Sequence, residues 1–462
     1  MTQRLMEAWV ETPLEQMNVA VIGTGHVGLI TCVSMAAIGH SVRGMDIDEA
    51  KIAKLNLGIS PFHEPGVEDL LRKSIEQGRL SFTSDPGEAL GDADAIFICV
   101  GTPARANGEA NLIAVEQAAR DVARYTKSGT IVIEKSTVPA GTARRVEWVL
   151  KHERVDLAAE LLVVSNPEFL REGSAMRDAL YPDRILVGAE SSQAFTRMRR
   201  LYGPILERGA ELIETDIATA ELAKHACNAF LAMKISYING IARLCELADA
   251  DVVDVARVMG SDPRIGPHFL SAGLGYGGFC FPKDLIAFER LSVQLGYDFP
   301  LLSAVARIND DAIDNTVRKI RDALWNLEDK RVALLGLAFK PDTDDVRFSP
   351  ALTLASRLLD EGAVVVGYDP QAATDAKAEL PDLLIEHDPY DAVRDAHCIV
   401  LCTEWAEFQS LDLDRVRELV AYPVVVDGRN AFEPDRVTSA GLHYYPTGRP
   451  DMPAHALESV HA

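Results

Sequence analysis

The sequence has no apolar run long enough to span a membrane. Its longest apolar stretches, such as VVVG and AIFICV, match the length of a single strand. Residues 1–16 (MTQRLMEAWVETPLEQ) contain neither an apolar core nor a small-residue cleavage site. We therefore expect no secretory signal and no membrane partner, a cytoplasmic location, and an N-terminal extension over 1–17.

Positive charge is also in short supply. The chain has 46 lysines and arginines against 69 aspartates and glutamates, a net charge of −23. A surface with this balance would repel a phosphate backbone, so the composition argues against nucleic acid as a partner. An anionic small substrate would need a local cluster of lysine and arginine in its pocket.

Paired cysteines are missing as well. The seven cysteines are odd in number, widely spread and without a C-x-x-C pair. This pattern argues against a disulfide framework and against a zinc site, and we predict no metal. Cys99, Cys398 and Cys402 lie in apolar, strand-like runs and are expected to pack as buried hydrophobes. Cys280, within GYGGFCFPKD, does not fit that description.

At 462 residues the chain is too long for one ordinary core, so two or three domains are expected. Short apolar runs alternate with segments of helical length, which predicts β-α-β units and a parallel sheet. The predicted strands of the first part are NVAVIG (18–23), HSVRGMD (40–46), DAIFICVGTP (94–103), TIVIEKSTVP (130–139) and ELLVVSNPE (160–168). The pattern resumes near residue 331 with RVALLG, AVVVGYDP, CIVLCTEW and YPVVVDGRN.

Between the two strand-rich parts, residues 218–250 run without proline and with apolar positions at helical spacing. A helix of this length spans roughly 50 Å and would serve as a bridge or a dimerisation spine.

The first predicted strand runs into Gly23-Thr-Gly25-His-Val-Gly28, which opens a helix, and Asp46 closes the next strand. In this context the G-x-G-x-x-G pattern predicts a dinucleotide site, with the pyrophosphate at the helix N-terminus. Asp46 would accept the ribose hydroxyls and repel the 2′-phosphate of NADP, so NAD is favoured. A glycine turn without a nucleotide and an FAD site are the weaker alternatives. The fold class is therefore α/β, with two Rossmann-like, doubly wound parallel-sheet domains joined by a long central helix and a helical segment.

Cys280 is the candidate nucleophile. Pro282 suits the first position of a helix, which would place Cys280 just outside a helix N-terminus, where the dipole lowers a thiol pKa. The preceding Gly275, Gly277 and Gly278 would let a bulky substrate lie against the backbone. Asp284 would fall in the first helical turn, where capping is the alternative role.

A thiol next to a hydride acceptor has a specific use. A single alcohol oxidation needs no nucleophile, whereas oxidising the resulting aldehyde does, because the thiohemiacetal can give up a second hydride. The thioester so formed must be hydrolysed, which calls for an activated water and nearby carboxylates. Glu168 and Glu172 in NPEFLREG are the candidates, with surface or capping acids as the alternative. Lys224 and Asn228, four apart in the long helix, leave one face together.

Together these motifs resemble the UDP-glucose 6-dehydrogenase family over nearly the whole chain, from Asn18 to about Tyr445. The matching segments are VAVIGTGHVGL, EKSTVPAGT, NPEFLREG, ELAKHACNAF, DPRIGPHFLSAGLGYGGFCFPKD, GLAFKPDTDDVR and DGRN. The resemblance implies four-electron oxidation of UDP-glucose to UDP-glucuronate with two NAD and one water. It also implies a homodimer through the central helix, with higher oligomers open. The expected domains are an NAD domain over 18–216, a central helical dimerisation domain over 217–320 and a UDP-sugar domain over 321–462.

The resemblance also assigns roles. Cys280 matches the nucleophile, Lys224 and Asn228 match groups that stabilise the oxygen of the intermediates, and Thr137 with Asp284 matches a water-positioning pair. Glu168 matches a proposed acid/base. The implied cofactor contacts are Gly23, Gly25, His26, Val27, Gly28, Asp46, Lys51, Thr102, Thr137, Glu172 and Arg347. The implied substrate contacts are Glu168, Phe169, Leu170, Glu172, Lys224, Asn228, Arg264, Tyr276, Gly277, Gly278, Cys280, Phe339, Lys340 and Arg429, with Arg264 reaching the substrate of the neighbouring subunit.

Two positions stand out within these motifs. Many family members have serine or tyrosine directly before the cysteine, where this chain has Phe279, so any hydroxyl contribution is absent. His26, inside the glycine turn, is expected to pack rather than to catalyse.

Four other readings remain open. GDP-mannose and N-acetylmannosamine dehydrogenases share the lysine, asparagine and cysteine, although RIGPHFL resembles the UDP-glucose type more closely. A single-step 3-hydroxyacid dehydrogenase shares the NAD domain and the helical pair but has no need of Cys280 or of a second sheet. A regulatory nucleotide-sugar binder would leave Cys280, Lys224 and Glu168 unexplained.

Overall fold

The computed structural model describes residues 15–103, 105, 107–156 and 161–454, so all but the last residues of the predicted N-terminal extension lie outside the described residues. The chain divides into two compact units, one up to Cys227 and one from Asn228. The point of division falls inside a single helix.

The first unit is an eight-stranded sheet flanked by helices. Its strands are β1 (Asn18–Ile22), β2 (Ser41–Met45), β3 (Leu80–Thr83), β4 (Ala95–Ile98), β5 (Ile131–Glu134), β6 (Leu162–Ser165), β7 (Arg184–Gly188) and β8 (Glu211–Thr215). Its helices are α1 (His26–Ala37), α2 (Glu49–Asn56), α3 (Val67–Glu76), α4 (Pro86–Leu90), α5 (Ile113–Tyr125), α6 (Thr142–Glu153), α7 (Ala175–Leu180), α8 (Ser192–Leu201) and α9 (Gly203–Leu206).

The strand order is β3-β2-β1-β4-β5-β6-β7-β8, and every neighbouring pair is parallel except β6 with β7. Strands β4 and β5 are buried along their full length because apolar clusters cover both faces of the sheet. The predicted parallel sheet is confirmed. Its carboxyl edge on either side of β1 is where a doubly wound sheet binds its ligand.

Helix α10 (Ile217–Ala248) contains the point of division and has 32 residues, about 48 Å of helix. It confirms the long helix predicted over 218–250. None of the helices in the described ranges is long and apolar enough to cross a membrane.

The second unit combines a helical region with a six-stranded sheet. After α10 come α11 (Val252–Ser261), α12 (Cys280–Gln294), α13 (Pro300–Leu324), α14 (Pro350–Asp360), α15 (Ala373–Glu379), α16 (Pro389–Val393), α17 (Ala406–Gln409), α18 (Leu413–Leu419) and α19 (Pro434–Ser439). The strands are β9 (Arg331–Leu335), β10 (Val364–Tyr368), β11 (Leu384–Ile385), β12 (Cys398–Leu401), β13 (Val424–Asp427) and β14 (His443–Pro446).

These strands are all parallel, in the order β11-β10-β9-β12-β13-β14, with apolar clusters on both faces. The second doubly wound sheet is therefore confirmed. Helix α12 starts at Cys280 and not at Pro282, two residues earlier than predicted. Pro282 is therefore the third residue of the helix, and proline is tolerated at this position because the first four N–H groups of a helix have no intrahelical partner.

Candidate active site

The glycine loop after β1 has the geometry of a pyrophosphate cradle. Gly23 has φ +90°, and a Cβ at Gly28 would lie 1.8 Å from the Gly23 carbonyl oxygen, so neither position accepts a side chain. A Cβ at Gly25, in contrast, would meet nothing within 4 Å. This open space lies at the start of α1, where N–H groups point outward, so the loop fits the diphosphate of a dinucleotide.

Asp46, at the end of β2, is fixed beside this loop. Its Oδ2 accepts hydrogen bonds from the backbone N–H and the hydroxyl of Thr24, each at 2.9 Å, and from Lys51 Nζ at 2.9 Å. Burial alone would raise the pKa of Asp46, but the hydrogen bonds from Thr24 and Lys51 outweigh it, so the pKa lies below its usual range. The carboxylate is thus ionised beside the glycine loop.

His26 is the first residue of α1, and its ring packs against Phe62 at a tilt of 38°, with 4.7 Å between centroids. Its Nε2 lies 3.1 Å from Glu64 Oε2, and Glu64 also accepts the N–H groups of Gly173 (2.7 Å) and Ala175 (2.9 Å). His26 therefore packs, as expected, but it also joins a buried carboxylate that holds the turn after Glu172. The sequence carries no signal for Glu64, which stands 38 residues from its histidine.

Thr137 lies in the loop after β5. Its carbonyl accepts a hydrogen bond from the buried Thr102 hydroxyl at 2.9 Å, so these two predicted residues are in contact at the carboxyl edge of β4 and β5. The Thr102 hydroxyl therefore already donates a hydrogen bond within the protein.

Glu168 and Lys224 are both buried and form an ion pair, with 3.2 Å between Oε1 and Nζ. Oε2 of Glu168 accepts the N–H of Leu170 at 2.6 Å. The Lys224 ammonium also lies 5.2 Å from the centre of the Phe169 ring. Glu168 is only 6% exposed, which rules out the alternative of a surface acid. Glu172 is half-buried in the same loop.

Glu168, Phe169 and Leu170 line a cavity of about 360 Å³ within the first unit. Lys135, which was not predicted, lies in its wall with Nζ 3.2 Å from Asn166 Oδ1 and 3.4 Å from the Tyr202 hydroxyl. Arg171, Arg177 and Arg184 also line this cavity. Glu168, Asp178 and Asp183 line it as well, and Arg171 pairs with Asp178, so the cavity wall carries both signs of charge.

In the second unit, Cys280 is half-buried and is the first residue of α12. Asp284, four residues on, is 1% exposed, and its Oδ2 accepts a hydrogen bond from Asn228 Nδ2 at 2.6 Å. Its Oδ1 lies 2.6 Å from Nζ of the buried Lys283, a partner that sequence reasoning missed. Asp284 therefore does not cap the helix. It is a buried acceptor one turn away from a thiol at the positive end of a helix.

Three other thiols differ from Cys280 in their burial. Cys99, Cys398 and Cys402 are buried, as predicted, and burial raises the pKa of Cys99 and Cys402 to about 12. Deep burial therefore makes them inert small hydrophobes.

The three glycines before Cys280 face protein. A Cβ at Gly275 would lie 2.6 Å from the Asn309 side chain, one at Gly277 would lie 2.3 Å from the Phe348 carbonyl oxygen, and one at Gly278 would lie 2.8 Å from the Phe339 ring. Close packing within the second unit thus already requires glycine at these positions. The reason given from sequence, room for a substrate, was incomplete.

Several predicted contacts gather near the carboxyl edge of the second sheet. Arg429 donates from Nε to the Cys402 carbonyl at 2.7 Å and from Nη2 to the Phe339 carbonyl at 3.1 Å, so it ties the ends of three strands together. The Lys340 ammonium lies over the Phe339 ring. Tyr276 is buried, and burial raises the pKa of its hydroxyl well above its usual range.

Two predicted arginines form forks with neighbouring aspartates. Arg347 pairs with Asp345 and stacks on Phe279, with 4.5 Å between its guanidinium carbon and the ring centre. Arg264 pairs with Asp262, and its side chain is 87% exposed. Phe279, noted only for its missing hydroxyl, is therefore an aromatic platform for a cation.

Comparison with known proteins covers nearly the whole chain. Three domain models of the UDP-glucose/GDP-mannose dehydrogenase family match it: the NAD binding domain over residues 17–206, the central domain over 218–311 and the UDP binding domain over 333–434. The three models thus follow the order of the eight-stranded sheet, the helical region and the six-stranded sheet along the chain.

Individual relatives agree. The chain is 42% identical over 434 residues to the UDP-glucose 6-dehydrogenase YwqF of Bacillus subtilis, covering 94% of this chain and 98% of the relative. It is 43% identical over 439 residues to the UDP-glucose 6-dehydrogenase of Rhizobium meliloti, covering 94% and 100%. A solved UDP-glucose dehydrogenase from Pyrobaculum islandicum superposes with a TM-score of 0.88 at 36% identity, covering 96% of this chain and 100% of that one.

Proposed function

The chain belongs to the UDP-glucose/GDP-mannose dehydrogenase family, and on that premise we propose that it oxidises UDP-glucose to UDP-glucuronate, consuming two NAD and one water. It is an NAD-dependent oxidoreductase, with an NAD-binding domain in its first unit. The proposal concerns the substrate and the cysteine route by which four electrons leave one carbon.

The observation that carries the proposal is the arrangement around Cys280. A half-buried thiol opens α12, and one turn later the buried Asp284 is bonded to Asn228. A helix N-terminus stabilises a thiolate, and a thiolate is the group that lets an aldehyde be oxidised again. A dehydrogenase that stopped at the aldehyde would need neither the thiol nor the buried Asp284.

The proposed sequence balances at each step. NAD, when bound, supplies the hydride acceptor for each oxidation. The C6 alcohol first loses a hydride from carbon and a proton from oxygen and becomes an aldehyde. The Cys280 sulfur then bonds to C6 and the carbonyl oxygen takes a proton, which gives a thiohemiacetal. Loss of a hydride and a proton leaves a thioester. Water then bonds to C6, the carbon–sulfur bond breaks, one proton returns to sulfur and another is released with the carboxylate.

Within this sequence we assign Lys224 and Asn228 to the oxygen on C6. They leave the same face of α10, and each carries hydrogen-bond donors. Asp284 and Thr137 would position the attacking water. Glu168, held against Lys224, would serve as the acid/base, since its buried carboxylate can exchange a proton without bulk solvent.

The glycine loop, with Gly23, Gly25 and Gly28, would hold the diphosphate of NAD, and Asp46 with Lys51 would bind the ribose. Thr102, Glu172 and Arg347 complete the proposed cofactor contacts. For the sugar nucleotide we propose Lys340 and Arg429 as cationic groups, with Phe169, Leu170 and Phe339 as packing surfaces. Arg264, which is exposed, would reach the substrate of a second subunit.

We also propose a homodimer through α10. Phe230, Tyr237 and Leu244 stand seven residues apart on this helix and are 58%, 51% and 60% exposed. A spacing of seven returns to the same helical face, so the three form one apolar stripe, called here the α10 stripe. A second copy of the chain is the proposed cover.

The reaction is tested by counting NADH formed per UDP-glucose consumed by purified protein. We expect two. Cys280→Ser should abolish UDP-glucuronate formation while changing the UDP-glucose dissociation constant by less than about threefold, since the smaller hydroxyl removes the nucleophilic sulfur and adds no bulk or charge. Cys227→Ser, at another half-buried cysteine, is the matched control and should keep normal turnover.

Other outcomes would exclude the proposal. One NADH per hydroxyacid would indicate a single-step dehydrogenase, and UDP-glucose binding without NADH would indicate a regulatory binder. Preferred turnover of GDP-mannose or UDP-N-acetylmannosamine would reassign the substrate. Near-normal UDP-glucuronate formation by Cys280→Ser would remove the nucleophile.

A further inference from the structure

The loop that carries Thr137, residues 135–141 between β5 and α6, is held by the first turns of α10. Two side chains of α10, Glu221 and His225, reach it. They stand four residues apart, so they leave the helix on one face, and each is 2% exposed. Neither has a role in the proposed function.

Glu221 supplies the cap that α6 lacks. The N-cap residue of α6, Gly141, has φ +92° and no side chain with which to bond the helix start. Glu221 accepts the N–H of Gly141 at 2.5 Å with Oε2 and the N–H of Ala143 at 2.8 Å with Oε1. A carboxylate at a helix N-terminus satisfies orphan N–H groups and the dipole together, so this contact fixes the far end of the loop.

His225 fixes the middle of the loop. Its Nε2 lies 2.9 Å from the Val138 carbonyl oxygen, and since a carbonyl only accepts, Nε2 carries the proton. The carbonyl of Thr137 itself accepts from Thr102, and the N–H of Ser136 donates to Glu134 at 2.9 Å. The backbone is therefore held on both sides of Thr137.

We infer that Glu221 and His225 are positioning residues that set Thr137 for hydrolysis of the thioester. Lys224 lies between them in sequence, so the same helical turns place the loop of Thr137 and the group assigned to the C6 oxygen. The inference rests on the proposed function, because it needs a thioester on Cys280. Water must bond to C6 as the carbon–sulfur bond breaks, and a shift of about 1 Å in a positioning group can cost about 100-fold in rate.

The test is His225→Leu, which removes the donor, examined by rapid mixing with UDP-glucose and excess NAD. We expect the first two NADH per site to form at the wild-type rate and later turnover to fall about 10- to 100-fold. Intact-protein mass should then show a UDP-glucuronyl adduct on most chains. The KM for UDP-glucose should change by less than about twofold, because substrate binding is not the step affected.

Three further variants make the result decisive. His225→Gln keeps an N–H donor and should restore turnover to within about fivefold of wild type. Glu221→Gln should accumulate the same adduct and remains informative if His225→Leu does not fold. His152→Leu, on an exposed turn of α6, is the matched control and should behave as wild type.

Normal turnover in both His225→Leu and Glu221→Gln would overturn the inference. So would a slow first NADH without adduct, since it would place the effect before the thioester. Failure of the proposed function would look different: the wild-type protein would give fewer than two NADH per UDP-glucose, and Cys280→Ser would retain activity.

Discussion

At the scale of single residues, burial determines whether an acidic side chain is ionised. Glu134 closes β5 directly before the Thr137 loop and is 1% exposed, with Oε1 bonded to the Ser136 N–H. The pKa of Glu134 is raised from its ordinary 4.5 to about 8, chiefly by burial, with a smaller upward contribution from nearby Glu221 and an opposing one from the Ser136 hydrogen bonds. At pH 7 Glu134 is thus a neutral acid. Burial also raises the pKa of Glu221, while the two N–H groups that it accepts at the start of α6 lower it.

This charge state predicts a pH-dependent stability. Glu134 keeps its proton up to about pH 8 in the folded state but only to about pH 4.5 in the unfolded state. The free energy of unfolding therefore falls as pH rises between these values. The slope is about 1.4 kcal/mol per pH unit for one such group. Glu134→Gln retains an oxygen for Ser136 and removes the titration.

The measurement is thermal unfolding of both proteins from pH 5 to pH 8.5. The variant should gain Tm relative to wild type steadily between pH 5 and pH 8, with no further gain above. A constant difference across that range would show that Glu134 is already ionised in the folded protein.

At the scale of elements, the sequence predicts buried strands better than edge strands. β1, β4 and β5 are short apolar runs covered on both faces, and all were predicted. The unpredicted strands β3, β8, β11 and β14 stand at or next to a sheet edge with exposed residues among them, so their apolar signal is weak. β7 was also not predicted, although it is an apolar run that pairs in parallel with β8 over five residues; its contact with β6 is a single antiparallel residue pair.

The site residues show a similar contrast between those that the sequence predicts and those that it does not. Motifs gave Cys280, Asp284 and the glycine loop, because those residues are close to one another in sequence. Glu64, His225 and Lys135 bond to partners 31 to 111 residues away, and such contacts exist only after folding. The sequence therefore indicated candidate reactive residues but not the side chains that hold the surrounding loops in position.

The start of α12 carries a prediction of its own. Phe279 lies under Arg347 and under Lys283, whose Nζ is 5.5 Å from the ring centre. A ring face attracts an exposed cation by about 0.5–1 kcal/mol, or about two- to fivefold in affinity. Phe279→Leu should therefore raise the KM for NAD by about that factor through Arg347, with little change in the KM for UDP-glucose.

Phe279→Tyr keeps the ring face and serves as the control, with a KM for NAD close to wild type. If Phe279→Leu leaves that KM unchanged, Arg347 does not depend on the ring. An equal rise in both KM values would instead indicate a displaced helix start.

At the scale of the whole molecule, a net charge of −23 opposes any self-association. A dimer must therefore form by apolar contact that outweighs like-charge repulsion. The α10 stripe has the side chains for this, since burying each large one contributes about 1.5–3 kcal/mol.

Leu244→Asp should accordingly break the dimer, because it places a charge in the apolar stripe while remaining 16 residues from Asn228. Sedimentation equilibrium should give about twice 50.3 kDa for the wild-type protein and about 50.3 kDa for the variant. Leu57→Asp, at an exposed leucine of the first unit, should leave the dimer intact. Added salt should strengthen the wild-type dimer, since screening weakens repulsion and leaves apolar burial in place. A wild-type monomer, or a Leu244→Asp dimer of unchanged affinity, would show that the stripe is not the interface.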